Sequence, residues 1–207
     1  MHPNPIFRRT GTQNALDFAK ERAFGILTTS SSGAPLIAHL PFLLSQDGNE
    51  ADLHLMRSNP ICRAAQDGQT ASLIISGPDG YVSPDWYEID DQVPTWNYIA
   101  VHLTGTLEPL PVESLDALLA RQSAFYEARL APKPPWTMDK MTAETRARFL
   151  RMILPFRLHI EDVQSTWKLG QNKPNSVRMN AASKVHSGFG SDLNGLAEQM
   201  MRPPKSE

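Results

Sequence analysis

The first half of the chain is a series of short apolar runs separated by turn residues, and this spacing limits the possible folds most strongly. GILTTS (25–30) and LIAHLPFLLS (36–45) flank the turn SSGAP, which is typical of a β-hairpin. ADLHLMRS (51–58) follows after QDGNE. These connections are too short for the crossover segments that parallel strands require, so the sequence predicts antiparallel strands in meander order.

Later segments complete the prediction of a mainly β fold, a small antiparallel barrel with peripheral helices. Further strands are predicted at 70–77, 95–110 and 156–169, and helices at 13–23, 59–68, 111–130, 142–153 and in the tail. The stretch 78–94 is rich in turn residues. We interpret residues 1–207 as one domain with a helical insertion around 111–153 and a helical C-terminal tail over 175–202.

Composition excludes several classes of protein. The 207 residues carry a formal charge of −2, so no overall basic field attracts the chain to nucleic acid or to an anionic membrane. One cysteine, Cys62, excludes an internal disulfide framework and favours a reducing compartment. The N-terminus lacks the apolar core of a signal peptide, and no apolar run approaches the ~20 residues of a membrane span. We expect a cytoplasmic protein.

Standard catalytic and metal motifs are absent from the sequence. It contains no Walker loop, no GxGxxG after a strand, no HExxH and no CxxC. The six histidines lack the spacing of a helical metal site, and the acidic turn around Glu88, Asp90 and Asp91 is better explained as a solvated loop. Cys62 is better explained as a packing residue than as a nucleophile. The sequence therefore predicts no metal site and no evident catalytic residue.

Two motifs in the first half have the chemistry of a binding site. In HLMRSNP (54–60), Arg57, Ser58 and the first amides of the following helix could converge on an anion. The alternative is simple capping by Ser58 or Asn59 beside a surface arginine. In IAHLP (37–41), a proline within a strand removes a backbone donor, which favours an edge position or a backbone that faces a ligand.

The strand VPTWNYIAVHLTG (93–105) has two contrasting faces. Its period of two places Trp96, Tyr98, Ala100 and His102 on one face and Asn97, Ile99, Val101 and Leu103 on the other. The aliphatic face suits a barrel interior. The aromatic face fits a subunit interface, a planar heteroaromatic cofactor, or both.

The motifs HLP (39–41), HxxRxNP (54–60), GPxxYxSPxWY (77–87), VPTWNYxAVHxxG (93–105) and WKLxQNxP (167–174) together resemble the PaiB-type FMN-binding family. That family belongs with the flavin-binding split β-barrels related to pyridoxamine 5′-phosphate oxidase and carries the name "negative transcriptional regulator". The resemblance covers about residues 5–200. It implies an FMN cofactor and a homodimer in which the two subunits share the FMN sites.

The resemblance also implies positions for the cofactor contacts. Arg57, Ser58 and Asn59 correspond to the flavin phosphate site, with His54 at the preceding strand end. The strand that would edge the isoalloxazine ring contains Ala38, His39 and Leu40. Residues of the two later motifs would line the site from either subunit: Trp96, Asn97, Tyr98, Lys168, Gln171 and Asn172. The chain departs from the family pattern at Gly170, where a serine is expected, and at Pro155, where a glycine is expected.

Three alternative functions are considered for this chain. The first is an FMN-dependent redox protein or flavin carrier, with a possible oxidoreductase activity that the sequence leaves undecided and a PaiB-like regulatory association. The second is a transcriptional regulator that binds DNA or protein; the most basic segment, 146–157, offers it little support. The third is a haem-binding split barrel, which would require an axial ligand.

Overall fold

The structure, a computed structural model, describes residues 1–205 and contains two compact units. The first unit comprises Met1–Arg22, Ile75–His102 and the residues from Val163 onward, and the second comprises Ala23–Ile74 and Leu103–Asp162. Three strands are long enough to contribute residues to both units. Within residues 1–205, no helix has the length and apolar character needed to cross a bilayer.

The elements follow the predicted order closely. The strands are β1 (Phe24–Thr29), β2 (Leu36–Leu44), β3 (Glu50–Met56), β4 (Gln69–Val82), β5 (Thr95–Pro109), β6 (Ile153–Lys168) and β7 (Gly190–Ser191). The α-helices are α1 (Thr12–Arg22), α2 (Pro60–Ala64), α3 (Leu115–Glu127), α4 (Ala143–Leu150), α5 (Asn175–Lys184) and α6 (Leu193–Met201). The predicted helices of the insertion and of the tail are confirmed, with slightly different ends.

The second unit contains the barrel. Its strands pair in the order β1–β2–β3–β6–β5–β4, and β1 also pairs with β4, so the sheet closes on itself. The predicted antiparallel barrel is confirmed. The predicted meander order holds for β1–β2–β3, but β3 then pairs with β6 instead of β4, from Glu50↔His159 to Met56↔Ile153. β3 and β4 are therefore not neighbours in the sheet. The connection that contains α2 is long enough to bridge the distance between them.

The barrel wall is tightest where β5 meets β6. A Cβ atom added at Gly105 of β5 would lie 1.8 Å from the main-chain oxygen of His159 on β6. Only glycine allows the two backbones to approach so closely. The interior is filled by the alternating apolar side chains of the strands, among them Leu27, Phe42, Leu53, Leu73 and Phe156.

The first unit has a core of its own. Ile99, Trp167 and Leu169 pack with Val177, Leu196 and Met200 of α5 and α6. Here β4 continues to Val82, although its PDG sequence predicts a turn. The extension is stabilised by β7, which pairs Gly80 with Gly190, and by the hydrogen bond from the Tyr81 N–H to the Phe189 carbonyl. Pairing with a distant segment therefore overrides the local turn preference.

Replacing Gly105 by alanine should destabilise the protein by about 3 kcal/mol or more, because the new methyl group would overlap a main-chain oxygen that cannot move without breaking the ladder. Gly33→Ala is the matched control, because a Cβ at Gly33 meets no atom within 4 Å. Urea unfolding should show a large loss for the first variant and almost none for the second. Equal stabilities would contradict the close approach of β5 and β6.

Candidate functional site

The barrel is open between β2 and β3. Leu36 to Pro41 of β2 pair with β1, whereas β2 pairs with β3 only from Phe42↔Leu53 to Leu44↔Ala51. The two strands therefore part just before Phe42. Pro41, which has no N–H to donate, is the last residue of the separated stretch, as the prediction of an edge position for IAHLP requires.

The backbone of β2 faces this opening at alternate residues. The Phe42 N–H donates to the Ala23 carbonyl at 3.0 Å, on the β1 side. Backbone groups alternate in direction along a strand, so the N–H and C=O groups of Ile37 and His39 point away from β1. The side chains of Ala38 and Leu40 lie in the core, and the side chain of His39 is exposed. Any ligand contact from these three residues is therefore made by backbone or by the His39 ring.

A groove of about 530 Å³ lies beside the separated stretch of β2. Its apolar part includes Leu36 of β2 and Leu154 of β6. The polar part contains all three predicted phosphate contacts and two further side chains: Arg57, Ser58, Asn59, Arg63 and Gln66. The volume falls within the range of about 300–1,000 Å³ that small-molecule sites occupy.

Arg63 and Gln66 were missed by the sequence analysis. Ile61, Cys62 and Ala65 are buried, so the exposed side of α2 and its end carries Arg63 and Gln66. A helical projection of 60–66 would have placed Arg63 on the solvent side, on the same segment as Arg57. The groove therefore has two guanidinium groups, whose charge and N–H donors suit a phosphate.

The first amides of α2 are not available for a ligand. Asn59 is the N-cap: its Oδ1 accepts from the Ile61 N–H at 3.0 Å, and its carbonyl accepts from the Cys62 N–H at 3.0 Å. Pro60 has no N–H. The expectation that these amides converge on an anion is thus not met, and the side chains must supply the donors.

The position of Arg57 is fixed by the turn before β6. Its backbone N–H donates to the Met152 carbonyl at 2.8 Å, and its Nε donates to the Arg151 carbonyl at 3.1 Å. The terminal nitrogens stay available, and neither Arg57 nor Arg63 forms an ion pair within residues 1–205. An anion in the groove would therefore not compete with a carboxylate.

His54 lies on β3 but does not line the groove. It is half-buried, its Nδ1 is buried without a partner, and a hydrogen bond links its side chain to Gln122 of α3. Burial lowers the pKa of His54, and the hydrogen bond to Gln122 opposes that shift. Gln122 in turn donates to the Pro41 carbonyl at 3.4 Å. His54 and Gln122 therefore connect β3 and β2 through α3, close to where the strands part.

The remaining predicted residues lie in the first unit. The two-faced character of β5 is confirmed: Asn97, Ile99 and Val101 are buried, and the opposite face is partly exposed. Trp96 is 40% exposed and lies 5.5 Å, edge to face, from the ring of Phe189, which also stacks on Tyr81. Tyr98 shares that face. The amide of Asn97 points inward and donates to the sulfur of Met200 at 3.5 Å.

The WKLGQN segment forms a turn that is held by its own side chains. Gln171 accepts from the Leu169 N–H at 2.8 Å and donates to the Trp167 carbonyl. Lys168 donates to the Thr95 hydroxyl, and burial lowers its pKa. Asn172 is exposed. The structure gives Gln171 and Lys168 partners within the first unit, and their contact with a cofactor stays a prediction.

Both departures from the family pattern have a backbone explanation. Gly170 has a φ of +81°, a conformation that glycine adopts without strain and serine does not. Pro155 lies within β6 opposite His54, and its carbonyl accepts from the Leu110 N–H at 3.0 Å. Because proline has no N–H to donate, β6 lacks a backbone donor at this one position of its pairing with β3.

The chain belongs to a family of flavin-binding domains. The family model described as "Putative FMN-binding domain" matches residues 1–162, which include the groove and the barrel. The predicted flavin cofactor is thereby confirmed at the level of the family, and the donors of the groove fit its phosphate chemically.

Similar proteins agree with this assignment. The "Protease synthase and sporulation protein PAI 2" of Bacillus subtilis (strain 168) is 29% identical over 202 residues, 97% of this chain and 96% of that protein. Two solved structures share the fold: the FAD and heme binding protein from Mycobacterium smegmatis (TM-score 0.57, 18% identity, 89% of this chain and 82% of that chain) and the flavocytochrome Anf3 from Azotobacter vinelandii (0.57, 16%, 82% and 73%). The predicted split β-barrel fold is confirmed.

The lowered pKa of His54 should make stability depend on pH. Below about pH 6.5 the unfolded chain takes up a proton at this histidine before the folded protein does, so the free energy of unfolding should fall as the pH decreases. His54→Gln should reduce this slope, which is measured by urea unfolding between about pH 5 and pH 8.

His102 contributes in the same direction, because burial also lowers its pKa, so the slope should shrink without disappearing. The same slope in the His54 variant and in the wild type would contradict the burial of a neutral imidazole.

Proposed function

We propose that this protein is an FMN-dependent redox protein or flavin carrier, and that the groove of the second unit holds the FMN phosphate. The observation that carries the proposal is the presence of Arg57 and Arg63 in one groove, without carboxylate partners among residues 1–205, in a chain of an FMN-binding family. The Ser58 hydroxyl and the Gln66 amide add neutral donors at the same place.

The donors are sufficient in number for useful affinity. Micromolar binding requires about 8 kcal/mol, and a hydrogen bond to a charged group contributes about 1.5–3 kcal/mol. Two arginines would therefore provide roughly half of the requirement. The rest would come from burial of the ring system and from hydrogen bonds to the backbone groups of Ile37 and His39, which face the opening between β2 and β3.

The chemistry would belong to the flavin. Bound FMN supplies electron or hydride transfer, whereas the protein binds the cofactor, orients it and limits access of water. None of the described residues that line the groove is Asp, Glu or His. The groove therefore offers phosphate recognition without a general acid or base, which is as consistent with a carrier as with an oxidoreductase.

We further propose a homodimer that shares its flavin sites. Trp96 and Phe189 are 40% and 61% exposed and form one cluster with Tyr81 on the first unit. Aromatic side chains are enriched at subunit interfaces, where their area is removed from water. A second subunit that covers this cluster would also explain why β5 places aromatic residues on its outer face.

A regulatory association is part of the proposal, because the Bacillus relative is named for protease synthesis and sporulation. Direct binding to DNA has little support from charge. Within the basic segment 146–157, Arg146 pairs with Asp116, and Arg157 pairs with Asp52 and Glu50. These ion pairs remove half of the positive charge that the segment could offer to phosphates. We therefore favour regulation through the flavin state of the protein.

Replacing Arg57 or Arg63 by alanine should weaken FMN binding by about 30-fold each, because each change removes about 2 kcal/mol of charged hydrogen bonding. Quenching of flavin fluorescence during titration measures the affinity. Arg148→Ala is the control: this exposed arginine lies on α4, outside the groove, and should leave the affinity unchanged. Unchanged affinity in both groove variants would show that the FMN phosphate does not bind in this groove.

The dimer should appear as a particle of about 46 kDa, twice the 23.0 kDa of the chain, by size-exclusion chromatography with light scattering. Trp96→Glu should shift the equilibrium toward the monomer, because a charge would be buried in an apolar contact. Glu198→Lys, on the exposed side of α6, controls for a general effect of surface charge. A stable monomer of the wild-type protein would contradict the shared site.

A further inference from the structure

A largely buried cation lies in the first unit, and the part of the chain that the structure describes gives it no ion-pair partner. Arg178 of α5 is 8% exposed, and its Nε donates to the Met200 carbonyl at 2.8 Å. Within residues 1–205, no carboxylate forms an ion pair with it. Among the described residues, the buried side-chain nitrogens without a partner belong to His54 and Trp167 and not to Arg178, so the terminal nitrogens of Arg178 stay accessible. They are therefore unpaired donors that a ligand could reach.

A second polar side chain, that of Asn97, contacts the same residue, Met200, through a weak acceptor. The Asn97 amide, 1% exposed, donates to the thioether sulfur of Met200 at 3.5 Å, and a thioether is a poor acceptor. Gly170 lies between the two groups: a Cβ there would be 3.4 Å from Arg178 Cγ and 3.9 Å from Asn97 Nδ2. The side chains of Asn97 from β5 and Arg178 from α5 therefore lie on either side of Gly170.

All charged residues of the surrounding segment are basic. Between Asp162 and Asp192 the chain has no acidic residue, yet it carries Lys168, Lys173, Arg178 and Lys184. Of these four, Lys184 alone has a carboxylate partner among residues 1–205, namely Glu88. Lys168 donates to a hydroxyl, and Lys173 donates to the Gln92 amide oxygen. These positive charges favour an anion nearby, and among residues 1–205 no carboxylate pairs with Lys168, Lys173 or Arg178.

We propose that Arg178 and Asn97 form an oxyanion site, which binds a carboxylate or phosphate group of a small molecule. The guanidinium offers a planar pair of N–H donors for two oxygens of such a group, and the Asn97 amide offers another donor. The interaction with Met200 holds the arginine from the side of its Nε and leaves the terminal nitrogens for the ligand. The site belongs to the first unit and is independent of the groove that contains Arg57.

The alternative role for Arg178 is structural. Met200 is the penultimate residue of α6, so the hydrogen bond from Nε also satisfies a carbonyl at the end of that helix. A capping role requires only the Nε and predicts no response to anions. The two roles are distinguished by whether added anions perturb the guanidinium.

The experiment uses the Arg57→Ala/Arg63→Ala protein, in which the groove can no longer bind phosphate through its arginines. Inorganic phosphate and acetate are titrated separately while the Nε–H resonance of Arg178, assigned by its loss in Arg178→Lys, is followed by NMR. We expect a saturable shift with a dissociation constant on the order of 1 mM for the preferred anion. The anion that binds more tightly identifies the phosphate or the carboxylate class.

Arg178→Met should weaken this binding at least about tenfold, as measured by calorimetry with the same anion, while thermal unfolding verifies that the variant is folded. If that variant does not fold, the titration of the Arg178 resonance still decides the question. Saturable binding at Arg178 supports the site. A resonance that stays unperturbed by both anions up to about 50 mM would overturn it and leave Arg178 as a helix cap.

Discussion

The Asp52 carboxylate holds together the part of the barrel on which the groove depends. It is 6% exposed and accepts hydrogen bonds from Arg157 of β6 and Arg121 of α3, both at 2.7 Å. The hydrogen bond to Asp52 raises the pKa of Arg157 above the usual value, and the charge of Asp52 adds to that shift. Removing one partner of such a buried pair typically costs about 3–5 kcal/mol. Arg121 contributes less, because its side chain is 59% exposed to water. Together these bonds join β3 to β6 and α3 just before Arg57.

The separation of β2 from β3 leaves an unpaired strand edge near the turn that holds Arg57. An unpaired strand edge is normally a liability, because its backbone groups invite association with other chains. Here the edge at Ile37 and His39 lies beside the groove of Arg57 and Arg63, and the chain belongs to a family of FMN-binding domains. A flavin that accepts hydrogen bonds from the edge and places its phosphate at the arginines would satisfy both features at once.

Local patterns predicted the parts of this structure that depend on neighbouring residues. The alternation along β5 correctly separated Trp96 from Asn97, and the turn signals placed the β1–β2 hairpin.

Features that depend on distant residues were not predictable. The PDG turn signal gave no indication that β7 would extend β4 to Val82, and no local pattern indicates that β3 pairs with β6. Arg63 was missed because an exposed position on α2 does not by itself indicate which side chains lie beside it, and the role of Gly170 depends on its φ of +81°. The contacts between the predicted cofactor-binding residues and a flavin could not be predicted from the sequence, because they depend on the position of the bound ligand.

The central claim is that the groove at Arg57 and Arg63 recognises the phosphate of FMN. Riboflavin has the same ring system without the phosphate, so the ratio of the two dissociation constants measures that recognition directly. Fluorescence titrations of the wild-type protein should give an FMN affinity at least about 100-fold higher than that for riboflavin, which corresponds to two charged hydrogen bonds of roughly 1.5 kcal/mol each. The ratio should approach one in the Arg57→Ala/Arg63→Ala protein. Equal affinities of the wild-type protein for FMN and riboflavin would contradict the account.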